Sequence, residues 1–177
     1  YADYEKVVAI GEIGLDYHYD YSTKEKQRYW FKRQLDLAAE LDLPVSIHSR
    51  EASQETFDII KSSNVRKGSI HAFSGSVEMA KDYIDMGFHI GVGGVVTFKN
   101  AKKLVDVVRF VPINKILLET DSPYLSPVPF RGTVNNSQNL KYVAEKIGEI
   151  KQISPEEVCK ITAQNAKEIF WWKKVVA

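Results

Sequence analysis

Short apolar runs and longer amphipathic segments alternate along this chain with a regularity that few architectures accommodate. The runs Val7–Gly11, Pro44–His48, Gly68–His71, His89–Gly93 and Lys115–Glu119 have the length of strands. Most are nearly continuous in apolar character, the pattern of parallel strands covered on both faces. Helix signals fill the gaps. Ser22-Thr23-Lys24-Glu25 reads as a capping box before "KQRYWFKRQLDLAAEL", in which Trp30, Gln34, Leu37 and Leu41 form one stripe, with Phe31, Leu35 and Ala38 beside it. Further helices are expected over Ala52–Lys61, Val77–Met86 (with Gly87 just past its end) and Ala101–Phe110. Ser154-Pro155-Glu156-Glu157 is a second capping box, opening a short helix to Thr162, and another helix is expected from Ala166 to about Trp172. The order β-α-β-α-β-α-β-α-β, then helices, predicts an α/β domain with a parallel sheet over residues 1–177. The irregular stretch "DSPYLSPVPFRGTVNNSQ", Asp121 to Gln138, is long enough to be a functional loop.

The ends of the runs hold the polar residues. The first closes on Gly11-Glu12, the second on His48, the third on His71 and the fifth on Glu119-Thr120-Asp121. In a parallel sheet those ends share one side, where (β/α) folds build their sites. A single histidine there is ordinarily a satisfied surface or core residue, and a single acid ordinarily caps the next helix. Together, Glu12, His48, His71 and Asp121 make a plausible ligand set for a divalent cation such as Zn²⁺ or Mn²⁺. His89 opens its strand, on the other side of the sheet, and reads as structural; His18 follows the first strand and stays unassigned. Asp16 reads as a loop-ordering acid or one standing behind a ligand.

Other features carry less. "GVGGVV", Gly91 to Val96, lacks both the Lys-Ser/Thr of a phosphate loop and GxGxxG spacing. Its glycines are better read as room for a ligand or a neighbouring strand. Ser74 sits in no nucleophile elbow. Trp30, Phe31, Trp171 and Trp172 read as packing residues. Arg131 is either a phosphate clamp or a rim arginine holding its loop. The formal net charge of +1 gives no global attraction to nucleic acid or an anionic membrane, so any such contact must be local. One cysteine, Cys159, leaves no partner for a disulfide within the chain and suits a reducing compartment. No membrane-length apolar run or signal peptide is visible, so a cytoplasmic protein without an obligate protein partner is expected.

Five motifs in this order resemble the TatD family of metal-dependent hydrolases, within the amidohydrolase-like (β/α)8 TIM barrels. They are "AIGEIGLDY" (Ala9–Tyr17), "PVSIHSREA" (Pro44–Ala52), "GSIHAFSGS" (Gly68–Ser76), "LLETDSPYL" (Leu117–Leu125) and "PVPFRG" (Pro127–Gly132), and "TAQNAKEIF" (Thr162–Phe170) is similar to the family's closing helix. The resemblance implies a DNA-cleaving, exonucleolytic phosphodiesterase with two divalent ions (Zn, Mg or Mn) per intact barrel. Glu12 would bridge the ions, His48 and His71 would ligate one, and Asp121 would ligate the other and take a proton from the attacking water. Ser122, Arg131 and Asn135 would meet the substrate. The family's opening His-x-His is not in the chain, and Glu12 falls on the family's fourth strand. The chain is therefore expected to hold strands four to eight of a barrel that typically takes ~250 residues. "TVNNSQ" stands where the family has a basic pair before Asn-Glu-Pro, with only Asn135 matching. The alternatives are hydrolysis of a small amide, lactone or phosphotriester, or an inert binding protein.

Overall fold

The computed structural model describes residues 7–170. Trp171 and Trp172, and the end of the helix expected to reach them, lie outside the described residues. Five parallel strands form one sheet in the order β1-β2-β3-β4-β5. They are β1 (Ile10–Asp16), β2 (Val45–Arg50), β3 (Gly68–Ile70), β4 (Phe88–Val92) and β5 (Ile116–Leu118). Helices α1 (Lys24–Glu40), α2 (Ser53–Ser62), α3 (Val77–Asp85) and α4 (Lys102–Phe110) connect them, and α5 (Leu140–Lys151) and α6 (Pro155–Ile169) follow β5. Sequential parallel order with a helix in each connection is the plan of a (β/α) barrel, represented by five of its eight strands.

One hydrophobic layer joins sheet to helices. Ile13 and Leu15, Val45 and Ile47, Ile70, then Phe88, Ile90 and Val92 alternate along their strands and pack with Phe31, Leu35 and Ala38 of α1, Tyr83 of α3 and Val107 and Val108 of α4. The opposite strand positions differ. Gly14, Ser46, His48, Ser69, His89 and Gly91 are small or polar. β3 and β4 are buried at every position, as expected of parallel strands covered on both faces; that second face is small or polar on β1 to β4, whereas β5 places Leu117 beside Gly91.

Local signals explain the remaining differences. The first strand begins at Ile10 and runs past Glu12 to Asp16, later than Val7–Gly11. Three steps on β1, Ile10 to Ile13, face two on β2, Val45 to Ile47, so an extra residue bulges at Gly11-Glu12. Such a bulge breaks the local alternation and re-aims a side chain. The cap of α1 is Thr23, whose Oγ1 accepts from the Lys26 N–H, not Ser22. Phe31, Leu35 and Ala38 form its buried stripe, whereas Trp30 is 61% exposed, so Trp30 is not a packing residue. Helix α5 is not among the expected elements, although Val143, Ala144 and Ile147 give it a buried stripe. Helix α6 is one continuous element where two are expected. Its interior polar residues do not interrupt it: Thr162 donates back to the Val158 carbonyl, and Asn165 donates across to the carbonyls of Ile113 and Ile116. Asn165 thereby fastens α6 to the start of β5.

Candidate metal centre

The bulge in β1 and the ends of β2, β3 and β5 bring the expected ligands together. His48 Nδ1 lies 2.9 Å from Glu12 Oε1. His71 Nε2 lies 3.1 Å from Asp121 Oδ1 and 3.9 Å from Glu12 Oε1. The structure therefore places Glu12, His48, His71 and Asp121 in one cluster, drawn from residues far apart in sequence.

Two further acids stand behind it. Glu119 Oε2 lies 2.9 Å from His71 Nδ1, and its other oxygen accepts the Ala72 N–H. Asp16 Oδ2 lies 3.2 Å from His48 Nε2, and its Oδ1 accepts the His18 N–H. Each imidazole thus spends one nitrogen on an outer carboxylate and turns the other into the cluster. The sequence suggests such a supporting place for Asp16 but not for Glu119. Glu119 is inconspicuous because it directly follows an apolar run and sits two residues before the more obvious Asp121. The available signal is Gly91: a Cβ there would overlap the Glu119 carboxylate. Gly91 makes room for an acid on the next strand, which refines the expectation that this glycine-rich run admits a ligand or strand.

The backbone is shaped for the same purpose. Gly14 has φ +145°, and a Cβ on it would overlap the carbonyl of His48, its partner across the β1–β2 ladder. Close approach of the two strands therefore requires glycine. Ala72 (φ 43°) and Asp121 (φ 57°), immediately after His71 and at the cluster itself, occupy the left-handed region that non-glycine residues seldom adopt. Such conformations concentrate at functional sites.

The electrostatics are those of a charged network. The Glu119 carboxylate, followed by Glu12 and Asp121, holds the His71 imidazole well above its ordinary range, at about 9, against the opposing effect of burial. His48 is raised in the same way, chiefly by Glu12 and then by Asp16. Glu12 is lowered by its hydrogen bond to His48, with the charge of His71 adding to the effect. A divalent cation can take the place of the protons that these imidazoles turn inward. Nitrogen and oxygen donors at ~2.1 Å from one cation stand roughly 3.0–3.4 Å from each other. The gaps of 2.9, 3.1 and 3.9 Å bracket that spacing. Among the described residues no three such groups close around a common point. The four residues fit a metal as a partial ligand set in donor chemistry, adjacent in pairs but not gathered around one point.

The expected substrate residues are placed differently. Ser122 and Arg131 are exposed in the loop after β5. The Arg131 guanidinium stacks on the Phe98 ring at 4.3 Å. Asn135 is 3% exposed. Its Nδ2 donates to the carbonyls of Thr120 and Tyr124, and its Oδ1 accepts from the Asn136 N–H and the Asn139 side chain. With its amide fully engaged, Asn135 is not on the substrate surface; it ties the loop back beneath Asp121. His89 is buried near the start of β4, at the end of the sheet away from the cluster, as expected, and His18 pairs with Glu51 at 2.7 Å. A mainly apolar cavity of about 310 Å³ opens beside Asp121 and Glu119, lined by Phe73, Val95, Leu104 and Leu125.

The sequence and the fold are similar to those of known proteins. The family described as TatD related DNase matches residues 1–171. The chain belongs to the TatD family. It is 47% identical over 169 residues to a Bacillus subtilis protein named uncharacterized metal-dependent hydrolase YabD, covering 94% of this chain and 66% of that protein. It is 40% identical to YcfH of Escherichia coli K12, also named an uncharacterized metal-dependent hydrolase, over 94% of this chain and 63% of that one. The crystal structure of the TatD homolog YjjV from Escherichia coli K12 superposes with a TM-score of 0.86 at 35% identity, covering 92% of this chain and 63% of that chain. A TatD family hydrolase from Entamoeba histolytica gives a TM-score of 0.83 at 27% identity, covering 94% and 64% respectively. The chain thus spans slightly less than two thirds of these TatD relatives. No helix among the described residues is long and apolar enough to cross a membrane.

Proposed function

We propose that the TatD protein to which this chain belongs is a divalent-metal-dependent phosphodiesterase that cleaves DNA. The observation that carries the reading is the paired orientation of the histidines. Asp16 and Glu119 hold the outer nitrogens of His48 and His71, leaving His48 Nδ1 and His71 Nε2 facing Glu12 and Asp121. Outer carboxylates of this kind fix the tautomer and orientation of metal-ligating imidazoles. Glu12, His48, His71 and Asp121 would hold the metal. When bound, a divalent cation supplies a Lewis acid that makes water nucleophilic near neutral pH and offsets phosphoryl charge.

The chain's own residues do the rest. Asp121 orients the attacking water and accepts its proton through a carboxylate oxygen. Its left-handed backbone and the loop tied down by Asn135 keep that carboxylate aimed at His71. Glu12, drawn out by the bulge, lies between the two imidazoles and holds the anionic charge they require. Arg131, at the rim, can release Phe98 and meet a phosphate, so the contacts would be to the backbone and sequence preference would be weak.

The test uses the full-length protein and end-labelled single-stranded DNA, with each of several divalent metals and with chelator. Chelator-sensitive cleavage supports the reading; absence of cleavage with every metal sinks it. The cavity beside Asp121 favours a second reading, hydrolysis of a small ester, lactone, amide or phosphotriester with an apolar group seated among Phe73, Val95, Leu104 and Leu125. In that case Arg131→Ala would leave turnover of the small substrate unchanged.

A further inference from the structure

Just past the metal-centre end of β1 lies a group of aromatic side chains of which only Tyr17 packs against the core. β1 ends at Asp16, which pairs in register with Arg50 at the end of β2, and Asp16 is the acid behind His48. The chain then passes through Tyr17, His18, Tyr19 and Tyr21 before α1. Tyr17 is anchored, since its hydroxyl donates to Glu55, which also pairs with Arg28. Among the described residues, no hydrogen bond anchors the Tyr19 or Tyr21 hydroxyl in this way. Their rings stack at 5.2 Å with an interplanar angle of 20°. Tyr19 is 44% exposed and Tyr21 is 90% exposed. The Arg50 guanidinium lies over the Tyr19 ring at 5.1 Å, and the His18 ring meets Tyr19 edge-on at 4.7 Å. Of the acids here, Asp16 lies against His48 and Glu51 lies 2.7 Å from the His18 ring, while Asp20, between the two tyrosines, is exposed; Arg50, with Lys24 beside the same hollow as Asp20, supplies the positive charge.

Tyr19 is engaged by Tyr21, Arg50 and His18, so the open flat face is that of Tyr21, backed by Tyr19 and with the Arg50 charge nearby. That combination matches a nucleobase attached to a phosphate. It matches a single strand and not a duplex, whose base faces are covered by their neighbours. A small neutral ester has no use for it. We propose that Tyr21, backed by Tyr19 and Arg50, forms a platform on which an unpaired base of a single-stranded nucleic acid stacks, leading the strand's phosphates toward His48 and Glu12. The proposal rests on the phosphodiesterase reading for its catalytic meaning, but binding can be measured apart from it.

The test uses the full-length protein in chelator, so that no turnover occurs, and fluorescence anisotropy with a labelled oligothymidylate and an abasic strand of equal length. The native protein is expected to bind the thymidylate about tenfold or more tightly than the abasic strand, in the range for one stacked base. Tyr19→Leu/Tyr21→Leu should abolish that preference, Tyr19→Phe/Tyr21→Phe should keep it, and Tyr21→Trp should keep it with quenching of the new indole by the thymidylate only. Absence of preference in the native protein, its survival in the leucine variant, or an indole that is not quenched would overturn the platform. Should the leucine variant fail to fold by thermal melting, the Tyr21→Trp quenching decides. Metal-loaded hydrolysis of bis(p-nitrophenyl) phosphate, which has no base to stack, reads the catalytic site separately. If that activity is absent while the base preference stands, the phosphodiesterase reading fails alone. If it is present and the preference is absent, the platform fails alone.

Discussion

Glu119 holds the Nδ1 edge of His71 at 2.9 Å and so turns Nε2 toward Asp121 and Glu12. The acid reaches that position because Gly91, on the neighbouring strand, has no side chain to obstruct it. The orientation of His71 is therefore set by residues on two other strands.

This relationship predicts a loss of metal affinity without loss of a ligand. Glu119→Gln keeps the shape but removes the charge that fixes the imidazole, and metal affinity should fall about 10- to 100-fold, the usual effect of removing such an outer partner. Gly91→Ala should act in the same direction by displacing Glu119. Calorimetric titration of the full-length protein with Zn²⁺ and Mn²⁺ checks both. Unchanged affinity in Glu119→Gln would show that His71 is oriented by its packing alone.

Gly14→Ala tests the close approach of β1 and β2. The added methyl would overlap the His48 carbonyl, at a φ of +145° that alanine does not tolerate. Overlap with backbone cannot be relieved by a side-chain rotation, so β1 must move away from β2 and carry Glu12 and Asp16 with it. A cost of about 3 kcal/mol or more is expected, at the upper end of single substitutions. Denaturant unfolding measures it, and a change below about 1 kcal/mol would contradict the close contact.

The fold is largely legible in the sequence because its signals are periodic and local. Strand-length apolar runs, Gly87 after α3, and Ser154-Pro155 before α6 all sit where their physical roles put them. The bulge at Gly11-Glu12 is not legible, since it depends on registration against β2. Helix α5 escapes notice beside the proline-rich loop, and α6 reads as two pieces because Thr162 and Asn165 look like breaks until their hydrogen bonds are seen. The four expected ligands are readable as polar residues closing apolar runs. Glu119 and the full engagement of Asn135 are not, because each depends on a partner distant in sequence.

Asn135 offers a test of the loop that carries Asp121. Its Nδ2 satisfies the Thr120 and Tyr124 carbonyls in a buried setting. Asn135→Asp keeps the shape but puts a carboxylate oxygen against those acceptors. Losing both bonds and burying unpaired acceptors should cost about 2–4 kcal/mol, from the usual penalty for each unsatisfied group. Chemical denaturation would report the cost, and faster amide exchange at Tyr124 would locate it. Equal stability of the two proteins would mean that the loop is held by other contacts.

His89 predicts how stability responds to acid. Its Nε2 donates to the Asn114 carbonyl at 3.2 Å, while Nδ1 is buried without a partner among the described residues. Burial, with Lys115 adding to it, pushes the imidazole down to about 4, against smaller opposing effects from the Asn114 hydrogen bond and Glu168. The unfolded chain takes up this proton near the ordinary histidine value of 6.5. Above that pH both states hold a neutral ring and His89 adds no pH dependence. As pH falls from about 6.5 toward 4, the unfolded state gains a proton that the folded state refuses, and stability declines. Below about 4 both states are protonated and the loss levels off, after a total of about 3 kcal/mol. His89→Gln removes the titrating group and retains a donor for the Asn114 carbonyl. Urea unfolding of both proteins in chelator, at intervals from pH 7.5 to about 4.5, should give curves that diverge on the acid side, with the native protein losing stability more steeply. The subtraction cancels the contributions of His48 and His71, which are common to both. Parallel curves would mean that His89 is protonated in the folded protein, and that the buried Nδ1 has a partner in solution.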